Sequence, residues 1–460
     1  MKNLIKIIAI LGFGTTVAVS QQSDAALRTV VEKDKTSRES SGPLVTTLSA
    51  AEHLYRGDVY FTNRLFPQAR DHFQRIIDVY PTDAGVPSAL FGIGRSYMWE
   101  RECTKAIPFL DRVSREYPNT KNGREGLAFK AACHIRLGKS ATAAKIYEQY
   151  TVMYPAGERI DSAYLNLIDA LREAGDYDGA GVWVRKTRQR FAGQPTETNA
   201  LHALLRLQIH KGRWTDAEST ANTLLSQAKF TGSITSVDEV RFLRSFAMEK
   251  AGKKQQAMDS YALIPNVYGS YYGGLAAERL ARNGAKFKVS PALTAKQLSD
   301  HPVAFRTEVL RYSKKHKIDP RFILAIMKQE SAFKAGAKSP SAARGLLQLV
   351  FDTALKYNND AGFPDLKPDD LYDPVANIAI ACEYIAALKD EFGGLYEAIA
   401  ASYNGGEDNV ARWLNRTKPK EAGIFTSEIG FAESKNYVFK VMSNYRIYRE
   451  LYDDNLVRKG

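Results

Sequence analysis

The chain is 460 residues long, and at roughly 150 residues per domain that length accommodates about three domains. Hydrophobic residues make up 44% and charged residues 25%, ordinary soluble-globular values that exclude collagen-like, coiled-coil and wholly disordered classes. The 64 Lys and Arg against 51 Asp and Glu leave a net charge of +13, which suits nucleic acid, acidic lipid or an acidic polymer, and equally suits a solvated basic surface.

Residues 1–20 place Lys2 and Lys6 ahead of an apolar stretch from Ile7 to Val19, followed by the small residues Ala18 and Ser20. This is the three-part pattern of a secretory signal peptide, and the run is too short for a comfortable membrane span. An uncleaved anchor is the alternative. No Cys follows the run within this N-terminal region to carry an acyl chain, and no later stretch approaches the length of an apolar span. The expectation is therefore a periplasmic protein with no stable membrane span after cleavage. Export also argues against nucleic acid as the partner. Residues 21–44 are polar and read as a flexible leader. The three cysteines, Cys103, Cys133 and Cys382, are too few and too scattered for a disulfide framework or a zinc site and read as small buried hydrophobes. The histidines show no metal spacing, so neither a metal nor a cofactor is expected.

Residues 45–266 carry an internal repeat. Ala69, Ala106, Ala143, Ala180 and Ala217 recur every 37 residues, and four residues after each stand Phe73, Leu110, Tyr147, Val184 and Ala221. Tyr80-Pro81, Tyr117-Pro118 and Tyr154-Pro155 follow in phase, and Phe191 keeps the register without its proline. Upstream, Gly57-x-x-Tyr60 and Gly94-x-x-Tyr97 stand 37 apart, with Ala131-x-x-His134 in phase. A small residue where helices cross, a bulky knob one turn on and a closing proline describe a helix–turn–helix unit. Ala257, Tyr261 and Pro265 fit a sixth unit after a shift of 40. The pattern resembles the tetratricopeptide repeat, with a longer period than that family's. It predicts about six helix pairs, forming a surface for binding or spacing that also offers a place for a protein partner.

Residues 267–300, Tyr- and Gly-rich and then Lys-, Ser- and Pro-containing, read as a linker. A last domain is expected over 301–460. Asp319-Pro320 is a helix start, with Asp as N-cap and Pro at the first position. The helix is expected to reach Gln329–Ser331, with an apolar stripe of Ile323, Ile326 and Met327 whose next member is Glu330. A carboxylate on such a face is costly unless paired or neutral, so its pKa should rise into the range of a general acid. A Glu that ends the helix and points at solvent fits the same periodicity.

Further motifs follow: Glu330-Ser331-Ala332-Phe333, Ser339-Pro340, Gly345-Leu346-Leu347-Gln348-Leu349, Ser402-Tyr403-Asn404-Gly405-Gly406 and Glu433-Ser434-Lys435-Asn436-Tyr437. Their order and spacing resemble the catalytic domain of the soluble lytic murein transglycosylases, lysozyme-like enzymes that cut peptidoglycan glycan strands. Leu347 departs from the family's Met, Val350 and Phe351 from its Met-Pro, and Glu407-Asp408 from its Pro-Gly. The resemblance implies an all-α chain, a superhelical repeat region followed by a lysozyme-like domain. It also implies Glu330 as the catalytic residue, with Ser331, Ser339, Gln348, Tyr403, Asn404, Glu433 and Tyr437 binding substrate.

Glycosidases ordinarily use two carboxylates. Here no acid follows Glu330 before Asp352, so one acid would have to serve twice, helped by the sugar's own acetamido oxygen. The implied reaction is cleavage of the MurNAc-GlcNAc β-1,4 bond with closure of a 1,6-anhydro ring. A lysozyme-like hydrolase with the same Glu, and a non-catalytic glycan-binding scaffold, remain as alternatives.

Overall fold

The computed structural model describes residues 25–36, 48–284 and 291–459; the expected signal peptide lies outside them. The described residues are helical, with no strand beyond two isolated bridges, Arg344 with Leu349 and Tyr452 with Arg458. The all-α expectation holds. All three cysteines are buried and outside any disulfide, and no helix among the described residues is long and apolar enough to cross a membrane.

The chain forms two compact units. Of the described residues, the first comprises those up to 174 with 338–343, the second 175–337 with 344–459. Helices follow one another in order, Ala50–Thr62 packing on Phe66–Val79, Val86–Trp99 on Cys103–Glu116, Lys121–Arg136 on Ser140–Met153, Pro195–His210 on Trp214–Gln227, and Val237–Lys250 on Lys254–Ala262; between them Ile160–Glu173 packs on Ser140–Met153 and closes the first unit, and Tyr177–Arg190 packs on Pro195–His210 and opens the second. The 37-residue period has a direct physical cause. Ala69, Ala106, Ala143, Ala180, Ala217 and Ala257 are all fully buried. A Cβ on Gly57 would stand 2.5 Å from the Phe73 ring, and one on Gly94 would stand 2.7 Å from Leu110. Both members of this contact recur one period later, so a small residue and a knob are required together. The helices ending at Val79, Glu116 and Met153 stop just before Tyr80, Tyr117 and Tyr154, because a residue preceding proline is driven out of the helical region.

Two expectations fail. Residues 25–36, read as part of a flexible leader, are helical, with Val30 and Asp34 buried. Asp34 meets Arg56 at 2.5 Å, Tyr60 at 2.6 Å and His72 at 3.0 Å, so partners supplied by the first repeat offset the segment's low apolar content. Within the stretch read as a linker, Tyr271–Arg282 is a helix whose Tyr272, Ala276 and Leu280 join the core of the last repeats.

In the second unit a separate core gathers around the Pro320–Ser331 helix. Its Phe322 to Met327 are all buried, so the helix is enclosed on every side rather than along one stripe. The Pro374–Glu391, Tyr396–Gly405 and Ala432–Leu451 helices contribute to the same core.

Candidate active site

Asp319 caps the Pro320–Ser331 helix by accepting the Arg321 N–H at 2.9 Å, and Glu330 occupies its last turn. Beyond it, Ala332 and Phe333 adopt φ of 48° and 66°, left-handed conformations that cost energy in non-glycine residues and turn the chain sharply away. Glu330 thus sits where an apolar helix ends, partly exposed. Burial pushes its carboxyl up to about 7, against the pull of the Tyr437 hydroxyl and with a further push from Glu433. Tyr437 donates to Glu330 Oε1 at 2.6 Å. The inward-facing, raised-pKa alternative is the one realised.

Next to it lies the Gly345–Leu349 loop. Gly345 has φ 79°, and a Cβ there would meet the Leu371 carbonyl at 2.1 Å and Asn377 Nδ2 at 2.3 Å, so only glycine fits. Gln348, at φ 46°, donates from Nε2 to the Gly345 and Ala337 carbonyls at 2.8 and 3.0 Å. Tyr403 donates to the Leu347 carbonyl at 2.7 Å, and its ring stands 5.4 Å from that of Tyr384, itself 5.3 Å from Tyr357. Burial holds the Tyr403 hydroxyl well above its usual range, with Glu330 adding to the shift. Asn404 accepts from Ser434 at 2.7 Å, which ties the Tyr396–Gly405 helix to the Ala432–Leu451 helix carrying Tyr437.

Glu330, Tyr437, Tyr403 and Glu433 therefore converge electrostatically, with Gln348 and Asn404 bracing the surrounding backbone. Ser331 differs from its expected place. It is 1% exposed, and its hydroxyl donates to the Leu346 carbonyl at 2.7 Å, so it fastens the helix exit to the loop instead of facing a substrate. Ser339 falls in the 338–343 segment that groups with the first unit, where its hydroxyl accepts the Ala343 N–H at 3.1 Å.

Sequence reasoning missed Asn377. Fully buried, it accepts the Leu347 N–H at 2.8 Å and donates to the Leu371 and Arg344 carbonyls at 2.8 and 3.0 Å. The signal available was a lone amide among Ala376, Ile378, Ala379 and Ile380, where an apolar residue would be the norm.

Among the described residues no cluster of metal-ligating side chains occurs. A separate cavity of about 780 Å³ lies between the Tyr271–Arg282 helix and the C-terminal helices and does not include Glu330. Much of its charge is spent internally: Arg279 binds Glu249 and Glu421, and Tyr271 binds Glu397.

Comparison with known proteins agrees with this layout. Residues 309–425 match the Transglycosylase SLT domain, and residues 88–120 and 133–195 match Tetratricopeptide repeat families. The chain is 32% identical over 165 residues to a soluble lytic murein transglycosylase of Salmonella typhimurium, covering 34% of this chain and 26% of that protein. It is also 32% identical over 164 residues to membrane-bound lytic murein transglycosylase C of Salmonella arizonae, covering 31% and 45%. The matched region thus spans about a quarter of the soluble relatives and under half of the membrane-bound one. Among solved structures, an inactive mutant of the lytic transglycosylase Slt from Pseudomonas aeruginosa aligns over 92% of this chain and 86% of its own, at 15% identity and a TM-score of 0.50. The 70-kDa soluble lytic transglycosylase bound to bulgecin A aligns over 96% and 87%, at 17% identity and a TM-score of 0.50. These likenesses establish the fold.

Proposed function

We propose that this chain is a lytic transglycosylase that cuts the MurNAc-GlcNAc β-1,4 bond of peptidoglycan, with Glu330 acting first as acid and then as base. The observation that carries this reading is the place of Glu330, in the last turn of an enclosed apolar helix with the Tyr437 hydroxyl at 2.6 Å, where burial pushes its carboxyl up to about 7. Such a carboxyl is protonated enough near neutral pH to give its proton to the glycosidic oxygen. Glu433, exposed and on a different helix, is the other carboxylate acting on it. Without a second carboxylate poised as nucleophile, the sugar's 2-acetamido oxygen is the internal group able to attack the anomeric carbon.

Tyr403, held by the Leu347 carbonyl, would orient that acetamido group. Asn404 and Gln348 would keep the surrounding backbone rigid, and Glu433 and Tyr437 would complete the polar lining. Once deprotonated, Glu330 takes the proton of the 6-hydroxyl, which closes the 1,6-anhydro ring. That step is intramolecular, and effective molarities of ~10⁵ M or more are attainable for well-oriented groups, far above what water supplies in a closed cleft. The net charge of +13 suits a polymer bearing lactyl and peptide carboxylates. The N-terminal residues support export to the periplasm, where such a polymer lies.

Digestion of purified murein sacculi in heavy-oxygen water tests the reaction. The expected fragments carry no label, have no reducing muramic-acid end and weigh one water less than lysozyme products. Label at the new muramic-acid end would instead establish a hydrolase, and no release of fragments a non-catalytic glycan-binding protein.

A further inference from the structure

The helix Ala432–Leu451 is gripped on two sides. Ser434 and Tyr437, three residues apart and so on one face, reach Asn404 and Glu330. Lys435, about 100° round the helix from Ser434, points instead into the repeats. Its ammonium donates to Glu239 Oε1 at 2.7 Å and Oε2 at 2.9 Å. Both side chains are enclosed, with exposures of 1% and 0%. Glu239 lies 196 residues away in sequence, in the Val237–Lys250 helix of the sixth repeat. His202 lies 2.9 Å from the same carboxylate.

A second grip runs parallel to the first. Arg206 donates to Glu428 at 2.9 Å, Arg416 donates to the Glu428 carbonyl at 3.0 Å, and the Arg416 carbonyl contacts His210 Nδ1 at 2.8 Å. Burial alone would raise the Glu239 carboxyl, but Lys435 and His202 hold it below the usual carboxylate range. Burial holds the Lys435 ammonium below its ordinary value, and Glu239 opposes that shift.

We infer that Glu239, a repeat residue, is a positioning residue for the reaction: by fixing Lys435 it sets the rotation and register of the helix that carries Tyr437 onto Glu330. The inference rests on the proposed role of Glu330. A buried ion pair is a poor device for stability, because desolvating two charges consumes most of what their attraction returns. It is a good device for register, because the bidentate contact is satisfied in one helix setting only and a one-residue slip leaves two buried charges unpaired. The groups facing this pair are His202, Arg206, Glu428 and Tyr272. Those acting on Glu330 are Tyr437, Glu433 and Tyr403.

The test uses the full chain with soluble glycan strands as substrate. Glu239→Gln should lower kcat by about 10- to 100-fold, the cost of a small misplacement at a reacting centre, with KM nearly unchanged. Tyr437 pulls the Glu330 pKa downward, so loosening its contact should also move the alkaline limb of the pH profile to higher pH. The double variant Glu239→Gln/Lys435→Met removes both charges and should recover the unfolding midpoint. If Glu239 positions the helix, kcat and the displaced pH limb should not recover with it. Recovery of kcat in step with the midpoint would overturn the proposal, as would a Glu239→Gln protein of lower stability with unaltered kcat and pH limb. If the single variant fails to fold, the double variant decides alone. Undiminished activity of Glu330→Gln would refute the underlying reading instead, a result separable from every outcome above.

Discussion

Replacing Glu330 by Gln should inactivate the protein and stabilise it at once. The ordinary carboxyl value of 4.5 rises to about 7 in the folded chain, so the folded state retains a proton that the unfolded state releases between those limits. Stability therefore falls as pH rises through that window. At ~1.4 kcal/mol for each tenfold change the full penalty above pH 7 is about 3 kcal/mol, and about 1–3 kcal/mol once partial exposure to the cleft is allowed for. Gln keeps the shape and accepts the Tyr437 hydrogen bond without ionising, so the variant escapes the penalty. Thermal unfolding should show a midpoint roughly 2–6 °C above wild type at pH 8, shrinking to no difference below pH 4.5. Sacculus turnover should fall by orders of magnitude, since the transferable proton is gone. Equal midpoints of the two proteins at pH 8 would refute the idea that burial sets this carboxyl. Retained turnover would refute its role as acid.

A fragment of residues 175–460 should fold and cleave short glycans. A fragment of residues 301–460, by contrast, loses Glu239 from Lys435, Arg206 from Glu428 and the apolar contacts of Tyr271 and Tyr272 with Phe439, and should unfold at lower denaturant than the longer fragment, as denaturant melts will register. Gly94→Val places a Cβ 2.7 Å from Leu110 and should cost about 1–3 kcal/mol from overpacking, read by thermal unfolding. His53 is held down to about 4, first by burial and then by the neighbouring His72, Arg75 and Arg56. An unfolded histidine binds a proton near 6.5, so the stability of the first unit should fall as pH drops from 6.5 towards 4; the His53→Gln variant should flatten that dependence. Asp34→Asn removes the charge that faces Arg56 and His72, and hydrogen exchange over residues 25–36 should accelerate.

The sequence alone determined whatever local periodicity encodes. The run of repeated helices was legible because the contact between small residue and knob recurs every 37 residues, and each member is a residue type that packing rarely permits to vary in size. Glu330 stood out because a carboxylate in register with Ile323, Ile326 and Met327 breaks an apolar stripe, but that periodicity fitted a solvent-facing Glu equally well, and its contact with Tyr437 came only from the fold. The Gly345–Leu349 loop and the Ser402–Gly406 segment were legible as motifs, although what their side chains touch was not.

Only tertiary structure decided the rest, because it concerns partners far apart in the chain. The residues around Asp34 look too polar to order themselves, and their partners Arg56, Tyr60 and His72 announce nothing locally. Ser331 stands beside Glu330 in sequence, yet the turn at Ala332 and Phe333 commits its hydroxyl to the Leu346 carbonyl. Asn377 appears as an oddity in an apolar helix until the Leu347 N–H meets it. Lys435 reads as one more surface lysine, in a helix where that is the usual fate of lysine. Its carboxylate partner is supplied 196 residues earlier. A burial that depends on such a pairing carries no local signature, since the free energy that permits it belongs to the pair and not to either residue.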